Sequence, residues 1–167
     1  MNPITARTQP GQVVSLHLHP AESGAPLHPA DRVELIEAKG IIGDTRYFGR
    51  LSRDSGKPSR RQVSLIGREQ IADHAAAFGL SSIAPGLVRA NIETAGIDLI
   101  ALLGSEVQIG EAVLRFNAPR DPCAKMDAIC PGLRARMMNR CQGVLAEVVR
   151  SGAIRIGDAI LPLNPEA

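Results

Sequence analysis

Residues 105–116, SEVQIGEAVLRF, give the clearest indication of the fold. Apolar and polar residues alternate on both sides of Gly110-Glu111, and this pattern predicts two antiparallel strands joined by a tight hairpin turn. Residues 153–161, AIRIGDAIL, repeat the pattern near the end of the chain. We interpret the two segments as similar hairpin turns and not as a duplication.

Short strand-like segments recur along the rest of the chain. They are predicted at 13–18, 33–37, 61–66, 86–94 and 144–149. The strongest helix pattern covers 68–79 and ends at Gly79, a typical stop, and Pro131 favours a second short helix at 131–140. Because strands and helices do not alternate regularly, a doubly wound parallel sheet is disfavoured. The sequence predicts a mainly β fold, a curved or partly closed antiparallel β-barrel with a few peripheral helices.

Length and composition limit the classes of function. The 167 residues fit one domain, which we place at 12–163 between a flexible lead-in at 1–11 and a tail at 164–167. Aromatic residues make up only 2% of the chain, which argues against binding of nucleic acid by base stacking. We expect no signal peptide and no membrane partner. Three cysteines without a CxxC pair predict free thiols in a cytoplasmic protein.

Cys123 is the best candidate for chemistry. It lies in APRDPCAK, residues 118–125, where two prolines disfavour a strand interior and predict a rigid loop just after a strand. Arg120 and Lys125 are close in sequence, and positive charge beside a thiol favours the thiolate, which attacks electrophiles and binds soft metals. The alternative is a buried, inert cysteine.

Two further segments are candidates for anion binding. Residues 46–68 carry seven arginines and lysines against a single carboxylate, Asp54, and form either an anion-binding loop or a solvated basic loop. Residues 39–44, KGIIGD, predict a tight turn whose backbone N–H groups are able to cradle an anion. Neither segment matches a P-loop or a dinucleotide fingerprint.

The remaining candidates have a more ordinary interpretation. His17 and His19 share one face of the first predicted strand, and with His28 they are possible metal ligands. A strand with two polar outward-facing residues is the favoured alternative. Cys130 is a candidate resolving thiol for a sulfenic acid or persulfide on Cys123, although packing is the more frequent role. Cys141 is expected to pack.

Six segments in order resemble the MOSC family, named for the C-terminal domain of molybdenum cofactor sulfurases. They are KGIIGD (39–44), RRQVSLIGRE (60–69), PGLVRANIETAGIDL (85–99), LLGSEVQIGEAVL (102–114), APRDPCAKM (118–126) and GVLAEVVRSGAIRIGDAI (143–160). Each segment is weak alone, but their order and spacing cover nearly the whole chain. The resemblance implies a stand-alone, single-domain member with a β-barrel fold and peripheral helices.

The resemblance also implies a site. In relatives that carry the molybdenum cofactor, the cysteine of the proline–cysteine motif, here Cys123, is the metal ligand and functional thiol. The cofactor's pterin carries a phosphate, which arginine and lysine bind well. The candidate cofactor-binding residues in this sequence are Arg60, Arg61, Asn91, Lys39, Asp44, Lys125 and Arg120. Arg60 and Arg61 are the candidates for the phosphate, Asn91 for the pterin ring, and Lys39 and Asp44 for the pocket floor.

Three functions remain open from the sequence. The first is a molybdenum-cofactor oxidoreductase that acts on N-hydroxylated or similar small molecules, since some relatives reduce such compounds with electrons from a separate donor protein. The second is a sulfur carrier, with a persulfide on Cys123 and a separate sulfur donor, or a cofactor-binding module without turnover. The third is an accessory domain with an inert Cys123. We expect no pyridoxal phosphate, because the chain has no room for a desulfurase domain.

Overall fold

The computed structural model describes residues 10–163, so most of the predicted lead-in and the whole predicted tail lie outside the described residues. The strands are β1 (Gly11–Leu18), β2 (His28–Ala30), β3 (Arg32–Ile36), β4 (Gly40–Ile41), β5 (Val63–Gly67), β6 (Ile92–Ala95), β7 (Glu106–Ile109), β8 (Ala112–Pro119), β9 (Val144–Arg150), β10 (Gly152–Arg155) and β11 (Ala159–Pro162). The helices are α1 (Arg68–Ala77), α2 (Met126–Ile129) and α3 (Leu133–Arg136), with one 3-10 turn at Ile100–Leu102.

Seven strands close into a barrel, which confirms the predicted mainly β fold. The order around the barrel is β11, β7, β8, β9, β5, β6 and β1, and β1 pairs again with β11 through Gly11 and Ile160. The short β2 extends β1 at its far end, and β10, β3 and β4 form a separate three-stranded sheet. The barrel is closed, so no long free edge remains among these seven strands.

One strand pair differs from the antiparallel arrangement that the sequence suggested. β5 and β6 are parallel, because α1 crosses over between them, as a parallel connection requires. Helix α1 begins and ends close to the predicted positions, and Gly79 adopts a left-handed φ of 70° just after it.

The two glycine-containing turns have different roles. β7 and β8 form the predicted hairpin, with Val107 opposite Leu114. The second predicted hairpin is wrong, because β10 pairs with β3 whereas β11 pairs with β7 and β1. β11 closes the barrel by pairing with β7 and β1, so the turn at 156–158 connects the three-stranded sheet to the barrel.

Aliphatic side chains fill the barrel, and Phe116 is the one aromatic side chain in this core. A second, smaller core lies where α1, α2 and α3 pack against the outside of β5. The predicted helix at 131–140 is shorter than expected, because Asn139 and Arg140 have left-handed φ angles of 59° and 70° that end helical structure. The predicted strand at 86–94 begins only at Ile92.

None of the helices within 10–163 is long and apolar enough to cross a membrane.

Candidate functional site around Cys123

Cys123 lies on an exposed loop four residues after the end of β8, as the two prolines predicted. The loop is fixed at both ends by backbone hydrogen bonds. The Arg120 N–H donates to the Gly143 carbonyl over 3.0 Å, and the Met126 N–H donates to the Cys123 carbonyl over 3.1 Å at the start of α2. The thiol is therefore accessible and held on a short, anchored segment.

A small pocket, which we call the thiol pocket, surrounds Cys123 and has a volume of about 70 Å³. Its walls come from five different parts of the chain. The lining residues are His19, Arg46, Tyr47, Arg61, Arg89, Arg120, Asp121, Cys123, Lys125 and Leu145. Five of these side chains are arginine or lysine, and one is a carboxylate. Arg61, Arg120 and Lys125 were predicted as cofactor contacts, Arg46 only as part of the basic segment and His19 only as a possible metal ligand, whereas Tyr47 and Arg89 were not predicted.

The five cations of the thiol pocket have no carboxylate partners among residues 10–163. Elsewhere the protein pairs its arginines readily, as in Arg68 with Glu93 at 2.8 Å and Arg60 with Glu147 at 3.4 Å. Uncompensated positive charge in a concave site concentrates the local field and attracts anions. The pocket is therefore electrostatically suited to an anionic ligand.

Arg120 is a half-buried cation of the thiol pocket. One nitrogen of its guanidinium, Nη2, donates to the carbonyls of Val88 and Arg89 over 2.8 and 3.0 Å. The other, Nη1, is buried and has no hydrogen-bond partner in the described part of the chain. Burial lowers the pKa of Arg120, and the neighbouring Tyr47 and Cys123 oppose this shift, yet an arginine stays charged in a protein. A buried donor without a partner calls for a ligand, ion or water.

Arg89 reaches the thiol pocket from a strained backbone conformation. Its φ is +64°, in the left-handed region that non-glycine residues rarely occupy. Its carbonyl faces both Arg120 Nη2 and His19 Nε2, the latter at 3.1 Å, and its own Nη1 donates to the Ala25 carbonyl over 2.9 Å. Such strain persists only where the surroundings hold it, and it is common at functional sites.

Asp44 organises a buried network directly beneath the pocket. Its Oδ2 accepts hydrogen bonds from the backbone N–H of His19 (2.9 Å), from His19 Nδ1 (2.8 Å) and from Asn91 Nδ2 (2.8 Å). Its Oδ1 accepts from the N–H groups of Arg46 and Tyr47, both at 3.0 Å. Asp44 therefore fixes the start of the basic loop and places Arg46 and Tyr47 at the pocket wall.

The same contacts set the protonation state of Asp44. Burial alone would raise its pKa, but hydrogen bonds from the side chain and backbone of His19, together with the charge of that ring and the Tyr47 N–H, hold the pKa below its ordinary value. Asp44 is therefore a carboxylate at neutral pH.

Asn91 is part of this network and does not face the pocket. It is 0% exposed. Its Oδ1 accepts from the Ser64 N–H and hydroxyl over 3.0 and 3.1 Å, and its Nδ2 donates to the His17 carbonyl and to Asp44. Both donors and both acceptor positions are used. The amide that the sequence suggested for a pterin contact therefore supports the pocket from below, and so does Asp44.

Two other predicted site residues lie away from Cys123. Lys39 is exposed on the turn between β3 and β4 and does not line the thiol pocket. Arg60 faces a neighbouring cleft, where it pairs with Glu147 while its side chain stays 66% exposed.

Two clefts open from the thiol pocket. The loop cleft has a volume of about 840 Å³ and is lined by residues of the segment 46–61. The side cleft has a volume of about 160 Å³ and is lined by 19–24, Thr45, Arg46, Arg50, Arg89 and Lys125. Arg46 lines all three cavities, so the thiol pocket adjoins one large and one small basic cleft.

The histidine pair and the other cysteines have structural surroundings. Burial lowers the pKa of His17 more than the nearby Glu93 raises it, and His17 Nε2 lies 3.0 Å from the Ser15 hydroxyl. Cys130 and Cys141 are half-buried free thiols. Among residues 10–163 no cluster of three or more histidine, cysteine, aspartate or glutamate side chains is arranged to hold a metal ion.

The model of the MOSC domain matches residues 27–161. The crystal structure of YuaD from Bacillus subtilis is similar, with 25% identity, a TM-score of 0.75 and coverage of 90% of this chain and 93% of YuaD. YiiM from Geobacillus stearothermophilus (18% identity, TM-score 0.69, 93% of this chain and 76% of YiiM) and YiiM from Escherichia coli (19%, 0.63, 95% and 70%) share the fold. No curated protein matches the chain.

Proposed function

The chain belongs to the MOSC domain family, and from this premise we propose that it binds a molybdenum cofactor, with Cys123 as metal ligand, and reduces N-hydroxylated or similar small molecules. The observation that supports this most is the thiol pocket itself. An exposed thiol stands among five cations that lack carboxylate partners in the described chain. Reduction of the substrate cleaves its N–O bond with two electrons and two protons and releases water, and a separate protein supplies the electrons.

The residues present fit this cofactor. A cysteine thiolate is a soft ligand suited to a thiophilic metal, and Arg120 and Lys125 favour the thiolate through their charge. The unpartnered Nη1 of Arg120 is a donor that an anionic ligand would satisfy. When bound, the cofactor would supply the two-electron redox chemistry.

The loop cleft is the better place for the body of the cofactor. The thiol pocket, at about 70 Å³, is too small for a pterin, whereas the loop cleft, at about 840 Å³, lies in the range of cofactor sites. Arg60 and Arg61 line this cleft, and Arg61 and Arg46 also line the thiol pocket. We assign the phosphate to Arg60, Arg61 and Arg46, so that the cofactor would extend from the basic loop to Cys123.

Metal and pterin analysis tests the binding. The wild type and the Cys123→Ser and Cys130→Ser variants are produced in a host that makes the cofactor, and molybdenum and released pterin are measured per chain. We expect both in the wild type and in Cys130→Ser, with molybdenum strongly reduced in Cys123→Ser. Absence of molybdenum and pterin from the wild type would refute the proposal.

Turnover is tested on the loaded protein with benzamidoxime as substrate and reduced benzyl viologen as electron source. We expect viologen oxidation that depends on both substrate and Cys123. A loaded wild type that reduces neither benzamidoxime nor 4-carboxybenzamidoxime would leave cofactor binding in place but remove the oxidoreductase assignment.

A sulfur carrier is the second candidate, because the Cys123 thiol is exposed on a loop and accessible to another protein. The terminal sulfur of a desulfurase persulfide would pass to the Cys123 thiolate, and the desulfurase cysteine would leave as a thiolate. Mass spectrometry after incubation with a cysteine desulfurase and cysteine should then find one added sulfur on Cys123. Added sulfur on Cys130 or Cys141 instead would exclude this role for Cys123.

A further inference from the structure

The side cleft is not assigned to the body of the cofactor, although it shares Arg46 and Arg50 with the loop cleft. It is bounded by the loop 20–24 on one side and by Thr45, Arg46 and Arg50 on the other. It shares His19, Arg46, Arg89 and Lys125 with the thiol pocket. A molecule with one end in this cleft would therefore place its other end beside Cys123. The volume of about 160 Å³ accommodates a small functional group and not a pterin.

The charge of the side cleft is strongly one-sided. Four cations line it, Arg46, Arg50, Arg89 and Lys125, and Glu22 on its exposed rim is the one carboxylate. Within the described chain none of these four cations forms an ion pair. A cleft with this composition repels cationic groups and favours anionic ones.

Two of its guanidinium groups are oriented by backbone carbonyls. Arg89 Nη1 donates to the Ala25 carbonyl over 2.9 Å, and Arg50 Nη2 donates to the Thr45 carbonyl over 3.2 Å. These bonds fix the side chains without neutralising them, and each arginine keeps further N–H donors free for a ligand. Charged donors held in advance bind carboxylates and phosphates well, because little order is lost on binding.

The backbone of Arg89 is held equally firmly. Its left-handed conformation, with φ +64°, is maintained by His19 Nε2 and Arg120 Nη2, which both contact its carbonyl. His19 is in turn bonded to the buried Asp44. The buried network therefore positions a side-cleft cation next to the thiol.

We propose that the side cleft is a subsite for an acidic group of the substrate, a carboxylate or phosphate held by Arg50 and Arg89. This rests on the proposed function and specifies its substrate class: small N-hydroxylated compounds that carry a negative charge at the end remote from the N–O bond. Benzamidoxime, which is neutral, would be a poor substrate, and its carboxylated analogue a good one.

The competing occupant of this cleft is the phosphate of the cofactor itself. The two occupants predict different results for a negative charge placed at Ala21, which lines the side cleft and neither the thiol pocket nor the loop cleft. If the substrate uses the cleft, Ala21→Asp impairs turnover of acidic substrates and leaves the molybdenum content unchanged. If the cofactor phosphate uses it, the same variant loses molybdenum and affects all substrates alike.

Steady-state kinetics on the loaded enzyme compare 4-carboxybenzamidoxime with benzamidoxime. The wild type should prefer the carboxylated probe in kcat/KM. In Ala21→Asp, kcat/KM for the carboxylated probe should fall at least about tenfold, since the added carboxylate repels the acidic group, while the value for benzamidoxime stays within about twofold. Ala21→Asn, which is neutral and of similar size, is the matched control and should keep the preference. Arg136→Gln, which removes a positive charge from the exposed face of α3, is a second control and should change neither value.

A binding measurement separates this inference from the proposed function. Benzoate, titrated into the cofactor-free protein, should shift the Nε–H resonances of Arg50 and Arg89 in heteronuclear NMR spectra, and the neutral isostere benzamide should not. Benzoate binding without reduction of either amidoxime would retain the subsite and reject the oxidoreductase. Reduction of both probes with equal kcat/KM, or benzoate titration without these shifts, would overturn the subsite.

Discussion

The floor and the wall of the thiol pocket are built in opposite ways. In the floor, the carboxylate of Asp44 and the amide of Asn91 have all their hydrogen-bonding capacity used by His17, His19, Ser64 and the backbone. In the wall, five cations stand without carboxylate partners in the part of the chain that the structure describes. The floor is satisfied by the protein alone, whereas the wall keeps a buried donor, Arg120 Nη1, without a partner in the described chain.

This contrast separates stability from function. A buried charge with several partners holds the fold and positions its neighbours, and removal of one partner leaves the others unsatisfied. In the wall, Arg46 and Arg61 are exposed cations without ion pairs, so they add little to folding and their charge remains available to an anion. Substitutions in the floor should therefore lower the free energy of unfolding, whereas substitutions in the wall should weaken anion binding.

The largest effect is expected at Asp44. The Asp44→Ala variant removes the acceptor of the His19 and Asn91 side chains and of three backbone N–H groups, and should lower the free energy of unfolding by about 3 kcal/mol in urea denaturation. Arg46→Ala, in the wall, should change it by no more than about 0.5 kcal/mol. Equal losses in the two variants would contradict the division between floor and wall.

The pH dependence of stability sharpens the same point. The pKa of Asp44 is lower in the folded protein than its ordinary value of about 3.8. Its contribution is therefore fully present above that value and is lost as the pH falls through the folded pKa. The difference in free energy of unfolding between wild type and Asp44→Asn should shrink below about pH 4. A difference that grows on acidification would contradict the assigned ionisation.

A smaller effect is expected at Arg89, where strain in the backbone is tested by two substitutions that both remove the guanidinium. Left-handed φ costs a non-glycine residue about 1–2 kcal/mol, partly offset by the greater unfolded-state entropy of glycine. Arg89→Gly should therefore be more stable than Arg89→Ala by about 0.5–1 kcal/mol. Identical stabilities would show that the conformation carries no strain.

The smallest effect concerns the wall and a simple anion. At a concentration equal to its Kd, inorganic phosphate should stabilise the cofactor-free wild type by about 0.4 kcal/mol relative to chloride at equal ionic strength. Arg61→Gln should reduce this gain, and Arg136→Gln should not. Thermal unfolding in the two salts provides the comparison, and an unchanged gain in Arg61→Gln would exclude the wall as the phosphate site.

Much of the barrel and part of the site follow from local sequence. The 105–116 hairpin, helix α1 and the loop with Cys123 depend on turn residues, helical spacing and prolines that act within a few positions. The position of Arg120 and Lys125 beside the thiol follows from their closeness in the chain.

The rest depends on contacts between distant segments. His19 contacts Arg89 only because β1 pairs with β6. Arg46 is positioned because its backbone N–H donates to the Asp44 carboxylate. The left-handed φ of Arg89 has no sequence signal, since such positions are usually glycine. The family resemblance suggested Asn91 as a hydrogen-bond partner of the pterin ring, but in the structure its amide is bonded to the buried Ser64, His17 and Asp44.

The most direct test of the proposed role of the wall and its thiol is X-ray absorption at the molybdenum edge of protein loaded with cofactor. If Cys123 is the metal ligand, the Cys123→Ser variant should either lose molybdenum or show one sulfur ligand fewer than the wild type. The Cys130→Ser control should match the wild type. Full molybdenum content with an unchanged sulfur shell in Cys123→Ser would contradict the account.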